Sequence, residues 1–444
     1  MKGPGGAPRY DAAVNEGPAD DRSRFRAPVG THDVLPPESA QWTALVAAFA
    51  GRAGRYGFDL VITPIFEHLE VFQRVGESTD IVRKEMYDFE DKGGRRIALR
   101  PEGTAGVARA FAQHNPLPPW KVWYVAPHFR YERPQKGRNR QHWQVGAEAL
   151  GVDDPQLDIE VIALAHGFYE ALGLRAFTLS INSMGDETDR DRFVDALRRY
   201  FVARGAALGE VFLERVDANP LRVLDSKDPD WQDVIEHAPQ ITAFLGDDAR
   251  THFEAVQHGL ERLGIDHEIK PRLVRGLDYY TSTTFEFNSQ ALDAAQNGIG
   301  GGGRYDKLVE QMGGKPTPGI GFGIGVERAL IACAAEGIEL GDPPSADVFV
   351  VDGIGNAVEV TLLVTELRED GLRAERTYGD RSVKAQMKAA DKSGARFTII
   401  LGGREAEHAA VSVKDMQTRE QLEVPRQLVA GWIQERRETE DSPR

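Results

Sequence analysis

The sequence predicts an α+β domain built on a mainly antiparallel sheet with helices, interrupted by a helical insertion and followed by a separate α/β domain. Three observations lead there. Strand-like runs recur at 97–100, 121–132, 141–151 and 178–182, and strand and glycine signals return over 272–325. Between about 186 and 264 the pattern turns helical and charged, with breaks at Asp228-Pro229 and Ala238-Pro239. Beyond the linker Gly341-Asp-Pro-Pro-Ser345, strands at 347–352, 374–378 and 397–402 alternate with helices at 357–369 and 382–393, which implies a parallel sheet. At 444 residues the chain is too long for one ordinary hydrophobic core, so division into domains is expected.

Taken in order, residues 1–24 read as a disordered tail, with neither the apolar run of a secretion signal nor an Arg/Ser-rich presequence. The α+β domain is expected over 25–340, with its insertion at about 186–264. The α/β domain follows over 346–435, and a second disordered tail over 436–444. A helix at 39–56 carries Trp42, Leu45, Val46 and Phe49 on one stripe, and Gly57 stands where a helix end needs a left-handed residue. It feeds Asp59-Leu-Val-Ile-Thr-Pro64, a strand whose proline suggests an edge or interface position. Further helices are expected at 104–113 and 326–336.

Composition excludes several classes. With 41% hydrophobic and 28% charged residues, and no apolar run near the ~20 residues of a membrane span, the chain reads as a soluble globular protein. A net charge of −15 argues against binding nucleic acid through the whole surface, and no DNA partner is expected. The single cysteine, Cys333, allows neither an internal disulfide nor a cysteine zinc cluster and fits a reducing cytoplasm; core packing is its expected role. The eleven histidines show no metal-ligand spacing.

The richest chemistry lies in 128–148, where two strand-like arms flank a basic loop containing Pro134 and Gly137. Alternation puts Arg130 and Glu132 on one face of the first arm and Gln144, Gly146 and Glu148 on one face of the second. Phe129, Tyr131, Trp143 and Val145 point the other way. Such a face suits the floor of a polar-ligand site, with Gly146 leaving room for the ligand; a solvated hairpin is the alternative. Arg100-Pro-Glu-Gly-Thr104 closes a strand and opens a helix, where Glu102 either serves helix-start chemistry or binds a ligand. The stretch Leu273-Val-Arg-Gly-Leu-Asp-Tyr-Tyr-Thr281 places Arg275 inside a strand-forming run, where an arginine wants an anion; an edge strand with surface polar residues is the alternative.

Gly298-Ile-Gly-Gly-Gly-Gly303 formally fits a dinucleotide fingerprint, but the antiparallel context is wrong for one. Its glycines instead suit close approach to a ligand, with Arg304-Tyr-Asp306 delivered beside it. Gly319-Ile-Gly-Phe-Gly-Ile-Gly-Val-Glu-Arg328 alternates glycine with apolar residues and enters a helix. Arg328 in that first turn conflicts with the helix dipole unless an anion such as a polyphosphate lies nearby. Lys384, Lys388 and Lys392 recur at four-residue spacing near Arg381 and Arg396, as either a solvated face or a phosphate-backbone contact.

Together these segments resemble the class II aminoacyl-tRNA synthetases, and within them the histidyl-tRNA synthetase family, from about Phe25 onwards. Gly30-Thr-His-Asp-Val-Leu-Pro36 with the helix and strand to Pro64 resembles motif 1, Phe129 to Glu148 motif 2, and Gly321 to Arg328 motif 3. The Arg275 stretch and Gly300-Gly-Gly-Gly-Arg-Tyr-Asp306 resemble the two histidine-specific motifs, and the final domain resembles an anticodon-binding domain. The resemblance implies histidine–tRNA ligation: ATP as substrate, Mg2+ beside it, tRNA(His) and L-histidine as partners, and a homodimer through motif 1.

By the same resemblance, Glu102, Gly103 and Thr104 hold the α-amino group, and Arg130 grips the α-phosphate and the histidine carboxylate. Gln144 lies beside the amino acid. Glu148, Tyr280 and Tyr305 read the imidazole, and Tyr279 lines the pocket. Arg275, Arg130 and Arg328 are the catalytic cations, with Arg138 a further ATP contact. Arg133 and Gln135 face the tRNA acceptor end, and Lys384 and Lys388 the tRNA elsewhere. A non-catalytic relative, such as the regulatory subunit of a histidine-biosynthetic phosphoribosyltransferase, would be expected to lack the catalytic arginine and the last domain. Arg275, Arg328 and that domain are present. A pure RNA-binding protein would leave the ATP-like pocket unexplained.

Overall fold

The computed structural model describes residues 25–74, 81–205, 208–224, 226, 228–273, 279–293, 296–341, 345–403 and 409–441. It divides into two units, Met1–Gly341 and Asp342–Arg444. The tail expected at 1–24 and the catalytic arginine expected at 275 lie outside the described residues.

The strands of the first unit are β1 (Asp59–Leu60), β2 (Phe66–His68), β3 (Asp88–Glu90), β4 (Arg96–Leu99), β5 (Trp120–Phe129), β6 (Gln141–Leu150), β7 (Phe177–Ser183), β8 (Glu268–Ile269), β9 (Thr281–Ser289), β10 (Gly298–Arg304) and β11 (Gly319–Gly325). Its helices are α1 (Glu38–Arg55), α2 (Leu69–Gln73), α3 (Thr104–His114), α4 (Pro155–Ala171), α5 (Glu187–Gly205), α6 (Glu210–Ala218), α7 (Leu221–Leu224), α8 (Gln232–Glu236), α9 (Asp247–Arg262), α10 (Leu308–Gln311) and α11 (Val326–Ala335).

Eight strands form one sheet in the order β1-β5-β6-β11-β10-β9-β7-β8. The five pairings inside it are antiparallel, and only the short outer strands β1 and β8 join in parallel. The 59–64 run does supply a sheet edge, although pairing ends at Leu60, well before Pro64. A small antiparallel sheet, β2-β4-β3, lies apart.

Period-two alternation gives the large sheet two different faces. Val145, Ala147 and Ala149 of β6 enter a core with Phe49 of α1, Phe168 of α4 and Ala329 of α11. Val122, Tyr124 and Ala126 of β5 belong to a second core with Tyr279, Tyr280, Tyr305 and Ala105 and Ala108 of α3. Gly146 and Glu148 turn towards that second face. Helix α1 is amphipathic as expected, burying Leu45, Phe49 and Ala53, and Gly57 takes the left-handed φ of +74° that ends it.

β5 stops at Phe129 rather than at Glu132. The Arg130 amide still bonds Arg140 across the hairpin, but the Tyr131 amide turns away to the Glu85 carbonyl, ending the ladder. Arg130 and Glu132 therefore project from the hairpin mouth rather than from a strand face. Tyr131 does not back the sheet either: it is half exposed, against Tyr87 and beneath the Arg140 guanidinium.

The helical insertion is two structures, not one. Helices α5–α8 close their own core around Phe193, Leu197, Phe201, Phe212 and Trp231. Helix α9 instead buries Phe253, Val256 and Leu260 in the main core, against α4. The two meet at Gly246, whose amide donates to the buried Asp189 carboxylate at 3.0 Å.

In the second unit, β12 (Val348–Asp352), β13 (Ala374–Arg376), β14 (Phe397–Leu401), β15 (Ala410–Asp415) and β16 (Gln421–Pro425) combine with α12 (Ala357–Glu369), α13 (Val383–Ser393) and α14 (Val429–Asp441). The sheet order is β13-β12-β14-β15-β16. It is mixed, not parallel: β13-β12-β14 are parallel, whereas β14-β15-β16 are antiparallel. A tight turn organised by Asp415, which accepts from the Gln417 and Thr418 amides, leaves no length for a crossover between β15 and β16. The tail expected at 436–444 is also corrected over 436–441, while 442–444 lie outside the described residues. Helix α14 runs on to Asp441, anchored by Ala430 and Ile433 in the core of this unit.

Candidate active site

The sheet's second face gathers seven of the predicted amino-acid contacts, Glu102, Gly103, Thr104, Glu148, Tyr279, Tyr280 and Tyr305, into one buried cluster. Glu148 on β6 is fully buried; it accepts from the Thr104 hydroxyl at 2.7 Å and the Tyr305 phenol at 2.6 Å. Burial pushes its carboxyl up to about 8, with those two hydrogen bonds opposing the rise. Tyr279 packs against both Tyr280 and Tyr305, with ring centroids 4.6 and 5.8 Å away.

Glu102 sits at the start of α3 and accepts from the Thr104 and Ala105 amides, both at 2.7 Å. It thus caps orphan helix donors, so the helix-start reading of Glu102 is realised in the geometry. Burial raises its carboxyl, opposed by those amides and by nearby Arg130. Arg130 is held there by a bond from its Nε to the Pro101 carbonyl at 2.9 Å.

Beside this cluster opens a polar cleft of about 410 Å³, lined by Arg130, Glu132, Arg138, His142, Gln144 and Arg328 together with Gly298, Gly300, Gly323 and Gly325. Arg328, in the first turn of α11, donates to the Gly298 carbonyl at 2.5 Å and the Gly137 carbonyl at 3.2 Å. Burial and the neighbouring Arg138 lower its pKa, the electrostatic mark of crowded positive charge. His142 is pushed down to about 3 by burial, Arg130 and Arg328, so it stands neutral at the cleft wall.

The glycines divide by what stands next to them. A Cβ on Gly146 would lie 2.4 Å from the Tyr124 ring, so its missing side chain admits Tyr124, not a ligand as the sequence suggested. On Gly321 it would meet Glu148 at 1.7 Å, and on Gly302 the Gly321 carbonyl at 1.9 Å. These two serve strand-to-strand approach, whereas Gly298, Gly300, Gly323 and Gly325, with Gly137 of the hairpin loop, border the cleft.

Two groups of predicted residues therefore adjoin: Glu102, Gly103, Thr104, Glu148, Tyr279, Tyr280 and Tyr305 in the buried cluster, and Arg130, Arg138, Gln144 and Arg328 along the cleft. Arg133 and Gln135 are exposed in the hairpin loop. Lys384 and Lys388 are exposed on α13 of the second unit. Arg304 is not beside the cleft; it is fully buried against Asp158. Sequence reasoning missed Tyr124, whose ring fills the space above Gly103 and Gly146, although alternation along Val122, Tyr124 and Ala126 places it on this face. It also missed Glu327, which accepts from the Trp143 amide at 3.0 Å and is pushed up to about 7 by burial.

An antiparallel sheet floored with glycine, with an arginine-lined cleft beside a buried carboxylate–tyrosine cluster, is the catalytic fold of the class II aminoacyl-tRNA synthetases. Residues 30–329 match the model of histidyl-tRNA synthetase, and residues 349–436 that of an anticodon binding domain. The chain is 48% identical over 417 residues to the histidine–tRNA ligase of Nocardia farcinica, covering 93% of this chain and 98% of that protein. It is 47% identical to that of Mycobacterium tuberculosis, with the same coverage. Among solved structures, apo histidyl-tRNA synthetase of S. aureus aligns with a TM-score of 0.78 at 36% identity, over 92% of this chain and 99% of that one. The chain belongs to the histidyl-tRNA synthetase family.

Proposed function

We propose that the chain activates L-histidine with ATP to histidyl-adenylate and pyrophosphate, then transfers histidine to the 3′ end of tRNA(His), with both substrates on the second face of the sheet. The observation that carries this is the adjacency of the arginine-lined cleft to the buried Glu148–Thr104–Tyr305 cluster.

In the first step the histidine carboxylate oxygen attacks the α-phosphorus and the bond to the β,γ-pyrophosphate breaks. The nucleophile is already charged, so no serine–histidine pair is needed. Positioning and cations do the work. Arg130 is proposed to bridge carboxylate and α-phosphate, Arg138 and Arg328 to hold the outer phosphates, and Arg275 to complete the α-phosphate clamp. Glu148 and Tyr305 are proposed to bond the imidazole, with Tyr280 beside them. Such a site rejects apolar side chains because its buried polar groups would be left unpaired. Glu102 and Thr104 would take the α-amino group, each Glu102 oxygen keeping a lone pair beyond its amide donor. In the second step the terminal ribose hydroxyl attacks the activated carbonyl and AMP leaves, with Arg133 and Gln135 at the acceptor end and Lys384 and Lys388 on the tRNA backbone.

Among the described residues no group of three or more His, Cys, Asp or Glu side chains is arranged to hold a metal by itself. The cleft carboxylates Glu132 and Glu286 fit the lesser role of holding Mg2+ jointly with phosphate oxygens, where the ion supplies charge neutralisation. No described helix is long and apolar enough to cross a membrane, and a reducing cytoplasm suits the single cysteine. A homodimer is supported by the apolar edge segment, where Leu60, Ile62, Ile65 and Phe66 are all exposed. Sedimentation of the chain against an Ile62→Asp variant tests that assembly. ATP–pyrophosphate exchange with each amino acid in turn tests the activity: exchange that depends on histidine is expected, and its absence overturns the reading. Arg275→Ala is expected to abolish most of that exchange while leaving tRNA contacts of the second unit intact.

A further inference from the structure

Asp158, in the first turn of α4, is a heavily engaged carboxylate outside the site. It is fully buried. One oxygen accepts from Arg304 Nε at 2.8 Å and lies 2.8 Å from its Nη2 in an ion pair; the other accepts from the Thr283 hydroxyl at 2.6 Å and contacts His252 Nε2 at 2.8 Å. Both Asp158 oxygens accept from Arg304 Nε, so the carboxylate serves here as an acceptor. His252 must therefore present Nε2–H to it.

The donors come from three elements, and two of them lead into the histidine cluster. Arg304 ends β10 and is directly followed by Tyr305, whose phenol binds Glu148. Arg304 also donates to the Asp154 carbonyl at 3.0 Å, pinning β10 to the start of α4. On the other side of Tyr305, Asp306 accepts from the Thr281 hydroxyl at 2.9 Å, just past Tyr280. Thr283 lies on the same strand. Asp158 thus fixes both segments that carry the pocket tyrosines. The third donor, His252, comes from α9, the helix that returns from the insertion and joins its core at Gly246.

We infer that His252 is a positioning residue for histidine binding: its tie to Asp158 passes the seating of the insertion helix through Arg304 to Tyr305 and Glu148. The inference rests on the reading of Tyr305 and Glu148 as the imidazole contacts. The side chain is partly exposed, at 17%, so its removal leaves the main core in place.

The test is ATP–pyrophosphate exchange by the full chain, with histidine and ATP varied separately. His252→Ala is expected to raise KM for histidine about tenfold while KM for ATP stays within about twofold, as loss of one hydrogen bond to a charged group predicts. His252→Gln, which restores an amide donor, is expected to recover most of the difference. Thr283→Val, a smaller change at the same carboxylate, should shift KM for histidine in the same direction. Equal changes in both KM values, no change in either, or a glutamine variant as impaired as alanine would overturn the proposal. Tyr305→Phe separates the two layers. If it leaves KM for histidine unaltered, the imidazole-pocket reading falls and this proposal with it; if it raises that KM while His252→Ala does not, the tie alone falls.

Discussion

Glu148→Gln sets the site against its scaffold. Glu148 is fully buried between Thr104 and Tyr305, and burial lifts its carboxyl from 4.5 to about 8. A carboxyl raised in this way keeps its proton in the native state over a pH range in which the unfolded chain has already lost it. Stability from this residue is therefore greatest below about 4.5, falls as pH rises through the interval to about 8, and is level above it. At about 1.4 kcal/mol for each pH unit, the native state is penalised by roughly 5 kcal/mol at alkaline pH. Glutamine keeps the shape and cannot ionise. It offers one acceptor where the carboxylate offers two, so the Thr104 or Tyr305 hydroxyl must turn, costing about 1 kcal/mol.

The variant is thus expected to be more stable than the parent by on the order of 3 kcal/mol at pH 8.5, and little different near pH 5. Urea unfolding followed by tryptophan fluorescence in histidine-free buffer, from pH 5 to 9, reads the gap directly. Glu327, pushed up to about 7, titrates in the same window but is common to both proteins and cancels. The gap should widen with pH and then level off. A gap that is constant across the range would refute the reasoning. The same variant should lose histidine-dependent exchange by about 100-fold or more, because an amide replaces the buried carboxyl proposed to bond the imidazole.

Gly321→Ala would bring a methyl group 1.7 Å from the Glu148 carboxylate and 2.7 Å from the Ala147 carbonyl, so histidine KM is expected to rise about tenfold or more, with a loss of about 1–3 kcal/mol in stability; unaltered exchange kinetics would show that the strands are not so closely set. The double variant Lys384→Ala/Lys388→Ala should weaken tRNA binding and lower the slope of log K against log salt by about one to two, without affecting exchange. An unchanged slope returns those lysines to a solvated face. Cys333 is buried in the main core, and burial lifts its thiol to about 12; alkylation at pH 8 should follow global unfolding in denaturant, and rapid labelling of the native chain would contradict its packing.

The parts of the fold legible in the sequence are those set by local rules. The stripe Trp42, Leu45, Val46 and Phe49 with Gly57 behind it made α1 legible, and Ser382 before α13 supplies its own cap by accepting from the Ala385 amide. The β5–β6 hairpin was legible from alternation, but its end was not, because the Tyr131 amide is diverted by the Glu85 carbonyl, a partner distant in sequence. The β15–β16 hairpin escaped notice for a different reason. Its turn is built by Asp415 and a left-handed Arg419 (φ +66°) rather than by the Asn-Gly or Asp-Gly pairs that mark hairpins in sequence. Motif spacing pointed to the members of the candidate site but not to their separation into cluster and cleft, and it misread Arg304, whose partner Asp158 lies 146 residues away.

How the cleft holds its cations bears on how it could serve a polyphosphate. Arg130 Nε goes to the Pro101 carbonyl, and Arg328 donates to the carbonyls of Gly137 and Gly298. These acceptors fix direction without cancelling charge. Arg138 has a carboxylate partner, Glu132, but at 3.7 Å and with a side chain still 45% exposed, so that pair is weak. Arg304 is the contrast within the same chain. Its guanidinium is neutralised by Asp158 in a fully buried pair, which suits a structural anchor and leaves no attraction for a ligand. A guanidinium oriented by neutral dipoles instead keeps its field for the anion that enters, and no carboxylate has to be displaced first.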